Sequence, residues 1–398
     1  MSGEPDVAAR IQVRAINRVG RDLYSASFGD PKLVTPETLH ALIAEAVKQR
    51  GGKFSLQFLV SEWSDVIEPW LVRSKEDYAK VTRLGRKARI GAAQRDALWP
   101  LFQAVRDAIA ARGETTISDM FDRISVAMAP AGTRPYDFAV VDEAQDLGVA
   151  EARFLAALGA GRPNALFFAG DLGQRIFQTP FSWKSLGIDI RGRSSTLRVN
   201  YRTSHQIRTR ADRLLPTAIS DVDGNEEGRK GTVSVFNGPP PAVRRFKSVE
   251  DESNAIGVWI AERIKEGTRP EEIGVFVRSD AEVDRARAAA KAAGASAARL
   301  SGESEAAPGM IAVSPMHLAK GLEFRAVAVM ACDDEILPQQ ERIETVADGS
   351  ELEVVYNTER HLLYVACTRA RDHLIVSGVA PVSEFLVDFG SSETDSVA

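Results

Sequence analysis

Two adjacent carboxylates, Asp142 and Glu143, are the residues whose types and position most directly indicate chemistry. They follow a short apolar run, residues 138–141, which is typical of a buried strand. Open α/β sheets bind ligands just beyond the carboxyl ends of their strands. We therefore expect Asp142 to hold a Mg²⁺ ion through its water shell and Glu143 to polarise a water molecule for attack on a phosphoryl group. The simpler alternative is that the pair only caps a following helix.

Two more polar segments end predicted strands. The apolar run at residues 165–169 leads into Gly170, Asp171 and, three residues later, Gln174. A helix predicted between this strand and the acidic one makes a right-handed parallel crossover the natural topology. Further along, Arg202 follows a strand predicted at residues 196–199. Its guanidinium is a fixed fork of donors that suits a phosphate.

These segments belong to a series of five motifs, which read DEAQD, GDLGQ, NYR, HLAKGLEF and YVACTRA in chain order. The series resembles the motifs of UvrD/Rep-type superfamily 1 DNA helicases and extends over roughly residues 130 to 385. The resemblance implies an ATP-dependent 3′-to-5′ helicase or translocase that uses ATP and Mg²⁺ and moves on single-stranded DNA.

The resemblance also assigns roles to individual residues. Gln174 would face the terminal phosphate of the nucleotide, and Arg202 and Arg369 would act as a pair of arginine fingers. Gly321 and Glu323 would lie at the nucleotide cleft. Of the catalytic residues that it implies, four are present in the sequence: Glu143, Gln174, Arg202 and Arg369.

The same resemblance places DNA contacts on two segments. His317 would lie near DNA, although an imidazole alone is more often an ordinary surface or interior group. Relatives carry a base-stacking aromatic after the GDxxQ motif, and this chain has about four extra residues there. The stacking aromatic could therefore be Phe177 or Phe181, while Trp183 is our preferred base-stacking residue because it lies in a Pro-broken loop. Trp183 as a core residue is an equal alternative.

Alternating strands and helices predict an α/β fold with two RecA-like parallel-sheet motor domains, the first incomplete, and a helical insertion near the N-terminus. The expected boundaries run in six segments: 1–34, a remnant of the first motor domain; 35–126, the helical insertion; 127–215, the first motor domain; 216–250, a linker; 251–390, the second motor domain; and 391–398, a flexible tail.

One motif of the helicases is missing. The phosphate-binding loop G-x-x-x-x-G-K-[ST] occurs nowhere in the sequence. We expect that this chain alone hydrolyses ATP poorly or not at all. Either Met1 is an internal or misassigned start, or the gene is split and an upstream polypeptide carries the loop, or the protein has lost ATP hydrolysis. The alternative is an ATPase-dead nucleic-acid-binding or partner-binding module that retains the helicase fold.

The amino-acid composition limits the kinds of binding site and the cellular location that we expect. The net charge of -5 gives no global basic bias, so a nucleic-acid site must be a local feature. Two cysteines, Cys332 and Cys367, cannot form a disulfide framework and are expected to be small core residues. The sequence has no apolar run of membrane-spanning length, so we expect no membrane association and a cytoplasmic protein.

Overall fold

A six-stranded parallel sheet forms the largest layer of the structure, a computed structural model of the chain. The structure describes residues 9–51, 54–81, 90–131, 134–171, 174, 181–190, 192–216, 218–220, 222–224, 226–228, 231–300, 307–344 and 349–390. The chain divides into two compact units. The first comprises Met1–Asp171 with Gln178–Gly192, and the second comprises Leu172–Phe177 with Arg193–Ala398.

The large sheet lies in the second unit, and all its neighbouring strands are parallel. The strands are β7 (Ala242–Phe246), β8 (Ile273–Val277), β9 (Ala297–Arg299), β10 (Ile311–Pro315), β11 (Phe324–Val329) and β12 (Ala370–Val379). Their order in the sheet is β7-β12-β11-β8-β10-β9.

Helices cover both faces of this sheet, which explains why its central strands are continuous apolar runs. Every residue of β8 and β10 is buried. One face packs against α9 (Val249–Lys265) and α10 (Val283–Ala292). The opposite face packs against α8 (His205–Ala211), α12 (Gly349–Thr368) and α13 (Phe385–Asp388), and a short helix, α11 (Gln340–Glu344), precedes α12. Cys332 and Cys367 are fully buried in the second of these cores, as predicted.

The first unit begins with a helical region. Its helices are α1 (Ile16–Phe28), α2 (Pro36–Arg50), α3 (Leu56–Glu62), which continues into a π-helical turn (Trp63–Ile67), α4 (Lys75–Lys80), α5 (Ala92–Ala111) and α6 (Ile117–Ala131). Ser74 caps α4, because its hydroxyl accepts a hydrogen bond from the Asp77 amide at 3.0 Å. Residues of α2 to α5 and the π-helical turn share one core, around the buried rings of Trp63, Tyr78 and Phe102.

The acidic strand β1 (Ala139–Val141) pairs in parallel with β2 (Leu166–Phe168), and α7 (Val149–Gly159) connects them. The predicted strand-helix-strand crossover is therefore present. The prediction that these strands are buried holds for one face only. Ala139, Val141 and Phe168 pack against the core of α1, α6 and α7, whereas Val140 and Phe167 are 76% and 62% exposed.

Two smaller strand pairs complete the second unit. β3 (Val199–Asn200) pairs in parallel with β6 (Val233–Ser234), and β4 (Ala218–Ser220) pairs in antiparallel fashion with β5 (Glu226–Gly228).

A mixed α/β fold with a parallel sheet and an N-terminal helical region is thus confirmed. The division into two motor domains stays a prediction. Within the described ranges, no helix combines the length and apolar character needed to cross a bilayer.

A buried ion-pair network fixes α12 against the sheet. Glu359 of α12 is fully buried, and its carboxylate accepts hydrogen bonds from Arg278 at 2.6 Å and from Arg342 at 2.7 Å. Arg278 directly follows β8, so the network joins the carboxyl end of a central strand to the helix that precedes β12. A buried charge is tolerated only where partners of opposite sign remain in place.

We predict that Glu359→Ala lowers the free energy of unfolding by about 3 to 5 kcal/mol, because it leaves the buried Arg278 guanidinium without its counter-ion. Urea denaturation measures the loss. Asp284→Ala is the control, since it removes a carboxylate from an exposed arginine pair with Arg287 and should cost little. Equal losses for the two variants would contradict the structural role of the network.

Candidate functional site

The acidic pair lies where the sequence predicts it, immediately after β1 in the first unit. Asp142 is exposed and Glu143 is partly buried. The backbone of Glu143 has φ 52° and ψ 39°, a left-handed conformation that costs a non-glycine residue roughly 1 kcal/mol. Two hydrogen bonds flank it, from the Glu143 amide to Asp142 Oδ1 at 2.9 Å and from the Ala144 amide to the Ala169 carbonyl at 2.8 Å. The tight turn sets the two carboxylates at the end of the strand.

Gln145 ties the acidic segment to the end of β2. Its side-chain amide donates to the Glu143 carboxylate, and its Oε1 accepts a hydrogen bond from the Asp171 amide at 3.0 Å. Gln145 is buried, with 6% of its surface exposed. The sequence assigned no role to this residue, although it lies within the DEAQD motif. It orients Glu143 and holds the two strand ends together.

Asp142 suits a magnesium ion by its chemistry. Mg²⁺ prefers hard oxygen ligands, keeps several waters and takes few protein carboxylates. Asp142 uses Oδ1 for the Glu143 amide, and its Oδ2 has no hydrogen-bond partner in the described parts of the chain. Asp142 therefore leaves one carboxylate oxygen that fits such an ion, and its role as a magnesium ligand stays a prediction.

In the second unit, Arg369 stands at the junction of α12 and β12 and is 1% exposed. Its guanidinium donates to the Val365 carbonyl at 3.1 Å and to the Leu322 carbonyl at 3.3 Å. Nη2 also donates to Oε1 of Gln174 at 2.9 Å. A cation at the carboxyl end of a helix is favoured by the helix dipole. The structure thus brings Arg369 and Gln174 into direct contact.

Arg202 lies near the starts of β11 and β12, close to Arg369. The side chain of Asn200 accepts hydrogen bonds from the amides of Arg202 at 2.8 Å and Thr203 at 3.1 Å, which fixes the turn after β3. The Thr203 hydroxyl donates to the Thr368 carbonyl at 3.4 Å. Arg202 Nε pairs with Glu323 Oε2 at 3.0 Å. Asn200 had no predicted role, but its amide oxygen positions the arginine.

The segment at residues 317–323 contacts Gln174, Arg202 and Arg369. Lys320 Nζ donates to the Gln174 carbonyl at 2.8 Å, and Glu323 pairs with Arg202. Gly321 has φ 79°, a left-handed conformation that favours glycine and turns the chain toward β11. Lys320 is a further residue that the sequence left without a role, although it stands inside the HLAKGLEF motif.

His317 lies at the opposite end of this segment, in a turn after β10. Its imidazole is partly desolvated, and this burial, together with the nearby Arg278 charge, lowers the pKa of His317 below its usual value. The side chain is therefore neutral at pH 7 and can serve as a hydrogen-bond donor or acceptor rather than as a fixed cation.

The predicted base-stacking aromatics differ in their surroundings. Trp183 is partly buried in the first unit, with its ring 4.9 Å from that of Phe168 and 5.0 Å from that of Phe181. Phe181 is 8% exposed. Both rings therefore contribute to the core, and a stacking role for Trp183 stays a prediction. Phe177 lies outside the described residues.

The comparisons with known proteins agree with the motif series. Residues 295–380 match the UvrD-like helicase C-terminal domain. The matched range contains His317, Gly321, Glu323 and Arg369. The resemblance to UvrD/Rep-type superfamily 1 DNA helicases is confirmed at this level.

Curated relatives give the same result at modest identity. The chain is 41% identical to the ATP-dependent DNA helicase UvrD1 of Mycobacterium leprae over 69 residues, which is 17% of this chain and 8% of UvrD1. It is 26% identical to the ATP-dependent DNA helicase UvrD2 of Mycobacterium tuberculosis over 227 residues, which is 53% of this chain and 31% of UvrD2. The chain thus matches less than a third of the length of either relative.

Among solved structures, the C-terminal domain of a possible DNA helicase from Lactobacillus plantarum is 26% identical. The match covers 48% of this chain and 94% of that domain, with a TM-score of 0.34, which is too low to define a shared fold.

We predict that Gly170→Ala destabilises the first unit by about 1 to 3 kcal/mol. A Cβ at this position would overlap the Gln145 side-chain oxygen and lie 3.1 Å from the Gln145 amide nitrogen. Urea denaturation checks the loss. Because Gln145 is the main obstacle, the same substitution should cost less in a Gln145→Ala background, and an undiminished cost there would contradict this reading of the turn.

Proposed function

We propose that this chain is part of an ATP-dependent 3′-to-5′ DNA helicase or translocase of the UvrD/Rep type, which couples ATP hydrolysis to movement on single-stranded DNA. The observation that carries the proposal is the cluster of Gln174, Arg202 and Arg369 in the second unit. These residues come from three separate motifs, yet Gln174 contacts Arg369 directly, and the turn after Arg202 contacts the end of α12, next to Arg369. The polarity of movement rests on the resemblance.

The cluster suits a terminal phosphate. During phosphoryl transfer, charge spreads over the oxygens of the γ-phosphoryl group, and guanidinium groups stabilise it. Arg369 is held rigidly by carbonyls at the end of α12 and before β11, so it loses little entropy when it binds an oxyanion. The Gln174 side chain is held by Arg369 and completes the set of groups that would contact the phosphate.

Two residues of the first unit receive roles from the resemblance. We assign Glu143 as the residue that orients the attacking water and accepts its proton, and Asp142 as the carboxylate that holds Mg²⁺. When bound, Mg²⁺ neutralises charge on the β- and γ-phosphate oxygens. The Gln145 amide donates to the Glu143 carboxylate and so fixes the direction in which this base is presented.

DNA contacts are assigned to three side chains on the same basis. Trp183 and Phe177 would stack on bases, and the neutral His317 imidazole would contact the DNA strand. Stacking contributes about 1 to 3 kcal/mol per base, and phosphate contacts make the affinity fall with salt. Single-stranded DNA, or DNA with single-stranded tails, is therefore the proposed partner.

The domain scheme predicted from the sequence is retained as part of this proposal, with motor domains at residues 127–215 and 251–390. A further polypeptide carrying the phosphate-binding loop is the second proposed partner. The exposed apolar face of the β1–β2 pair supports it, since parallel strands are normally covered on both faces. Phe138, Val140 and Phe167 form that face, and each is more than 60% exposed.

We predict that the purified 398-residue chain hydrolyses ATP at a negligible rate, because a triphosphate needs backbone amides and a lysine to hold its β and γ oxygens. Adding a polypeptide with the loop, fused ahead of residue 1 or as a separate chain, should restore hydrolysis stimulated by single-stranded DNA. Glu143→Gln should then lower the rate by about a hundredfold or more. Phosphate release with and without DNA is the measurement.

Two outcomes separate the alternatives. Robust DNA-stimulated turnover by the 398-residue chain alone would show that another loop binds the phosphates. Binding of single-stranded DNA without hydrolysis, even after addition of the loop polypeptide, would favour the ATPase-dead binding module. The absence of the loop motif from the sequence is the observation that keeps this second function in view.

A further inference from the structure

The ion pair between Arg202 and Glu323 brings an acceptor with a full charge into the cluster. Arg202 Nε lies 3.0 Å from Glu323 Oε2, and both side chains are 45% exposed. Arg369 and Lys320 instead donate to neutral oxygens of Gln174. Displacing Glu323 therefore has a different electrostatic consequence from displacing Gln174.

The two partners are placed by separate, rigid parts of the second unit. Asn200 fixes the turn that carries Arg202. Glu323 directly precedes β11, whose first residue, Phe324, lies opposite Ala370 of β12 in the parallel register. The Phe324 amide donates to the Arg369 carbonyl at 2.9 Å. Glu323 is thus held at the same sheet edge as Arg369, where a ligand phosphate is proposed to bind.

Arg202 retains donors for a ligand. Only its Nε is engaged by Glu323, and in the described ranges neither Nη1 nor Nη2 has a hydrogen-bond partner. A guanidinium with two terminal amino groups available can bind an oxyanion in a bidentate manner. An anion that approaches these groups also approaches the Glu323 carboxylate, which repels it.

We propose that Glu323 is a counter-ion gate for Arg202. Its carboxylate neutralises the arginine while no ligand is bound, and an incoming phosphate must compete with that carboxylate for the guanidinium. Because the repulsion from this carboxylate grows with the charge of the anion, the gate weakens the binding of anions in general and that of a polyphosphate most. This inference rests on the proposed role of Arg202 as a phosphate contact and adds Glu323 as the residue that limits the affinity of Arg202 for anions.

The probe is inorganic tripolyphosphate, with binding to the full 398-residue chain measured by calorimetry at low, constant salt. Glu323→Gln removes the charge but keeps the size of the side chain. We expect it to bind tripolyphosphate about two- to fivefold more tightly than the wild type, the range expected from an exposed ion pair. Sulfate should gain less, because the repulsion from the Glu323 carboxylate grows with the charge of the anion.

Glu266→Gln is the matched control. It makes the same chemical change and the same change in net charge, and Glu266 likewise pairs with an arginine, Arg263, at 2.8 Å while 54% exposed. We expect it to leave the affinity for tripolyphosphate unchanged. An equal gain in Glu266→Gln and Glu323→Gln would assign the effect to net charge and overturn the gate.

Arg202→Gln separates the gate from the role of Arg202 itself. The substitution should weaken tripolyphosphate binding, and in its background Glu323→Gln should give no gain. If Arg202→Gln weakens binding while Glu323→Gln leaves the affinity unchanged or lowers it, the gate is wrong and the proposed phosphate contact stands. If Arg202→Gln has no effect on the affinity for tripolyphosphate, both assignments fail.

Discussion

The burial of the Arg369 guanidinium is the constraint on which the organisation of the second unit depends. A charged group that is 1% exposed must have its donors satisfied, because an unpaired buried charge would cost several kcal/mol. Its partners come from the end of α12, from the segment before β11 and from Gln174. The hydrogen bonds of the Arg369 guanidinium therefore fix the relative positions of the end of α12, the segment before β11 and Gln174, which is far away in sequence.

The candidate site residues stand at different edges of their sheets. Ligands of open parallel sheets usually bind at the carboxyl ends of the strands, and Asp142 and Glu143 stand at such an end. Arg369 and Glu323 instead precede β12 and β11, at the amino-terminal edge of the large sheet. His317 follows β10 and so belongs to the carboxyl-terminal edge. The segment at residues 317–323 runs from the carboxyl-terminal edge of the sheet to the amino-terminal edge. Within it, Lys320 contacts Gln174 and Glu323 contacts Arg202.

Much of the second unit could be predicted from the sequence because its elements are long and strongly patterned. The apolar run at residues 273–277 and the helical pattern that ends at Lys265 appear as β8 and α9. The exposure of Val140 and Phe167 could not be predicted in this way. An apolar run indicates a strand, but whether a second layer covers it depends on elements that are remote in sequence.

The side-chain contacts within the site could likewise not be predicted from the spacing of the motifs. Lys320 and Arg369 lie 146 and 195 residues from Gln174, and their hydrogen bonds depend on the packing of the complete unit. Gln145, Asn200 and Lys320 all stand inside recognised motifs. Their roles became visible only as hydrogen bonds to Glu143, Arg202 and Gln174. A motif identifies a segment of the chain, whereas a hydrogen bond shows which residue positions a candidate site residue.

The central claim is that Gln174, Arg202 and Arg369 form one site for the terminal phosphate of a nucleotide. The most direct measurement is a crystal structure of the chain with the loop-bearing polypeptide, Mg²⁺ and a non-hydrolysable triphosphate. We predict that the terminal phosphate oxygens lie within hydrogen-bond distance of all three side chains. A terminal phosphate bound away from Arg369, with the hydrogen bond between Arg369 and Gln174 intact, would contradict this claim.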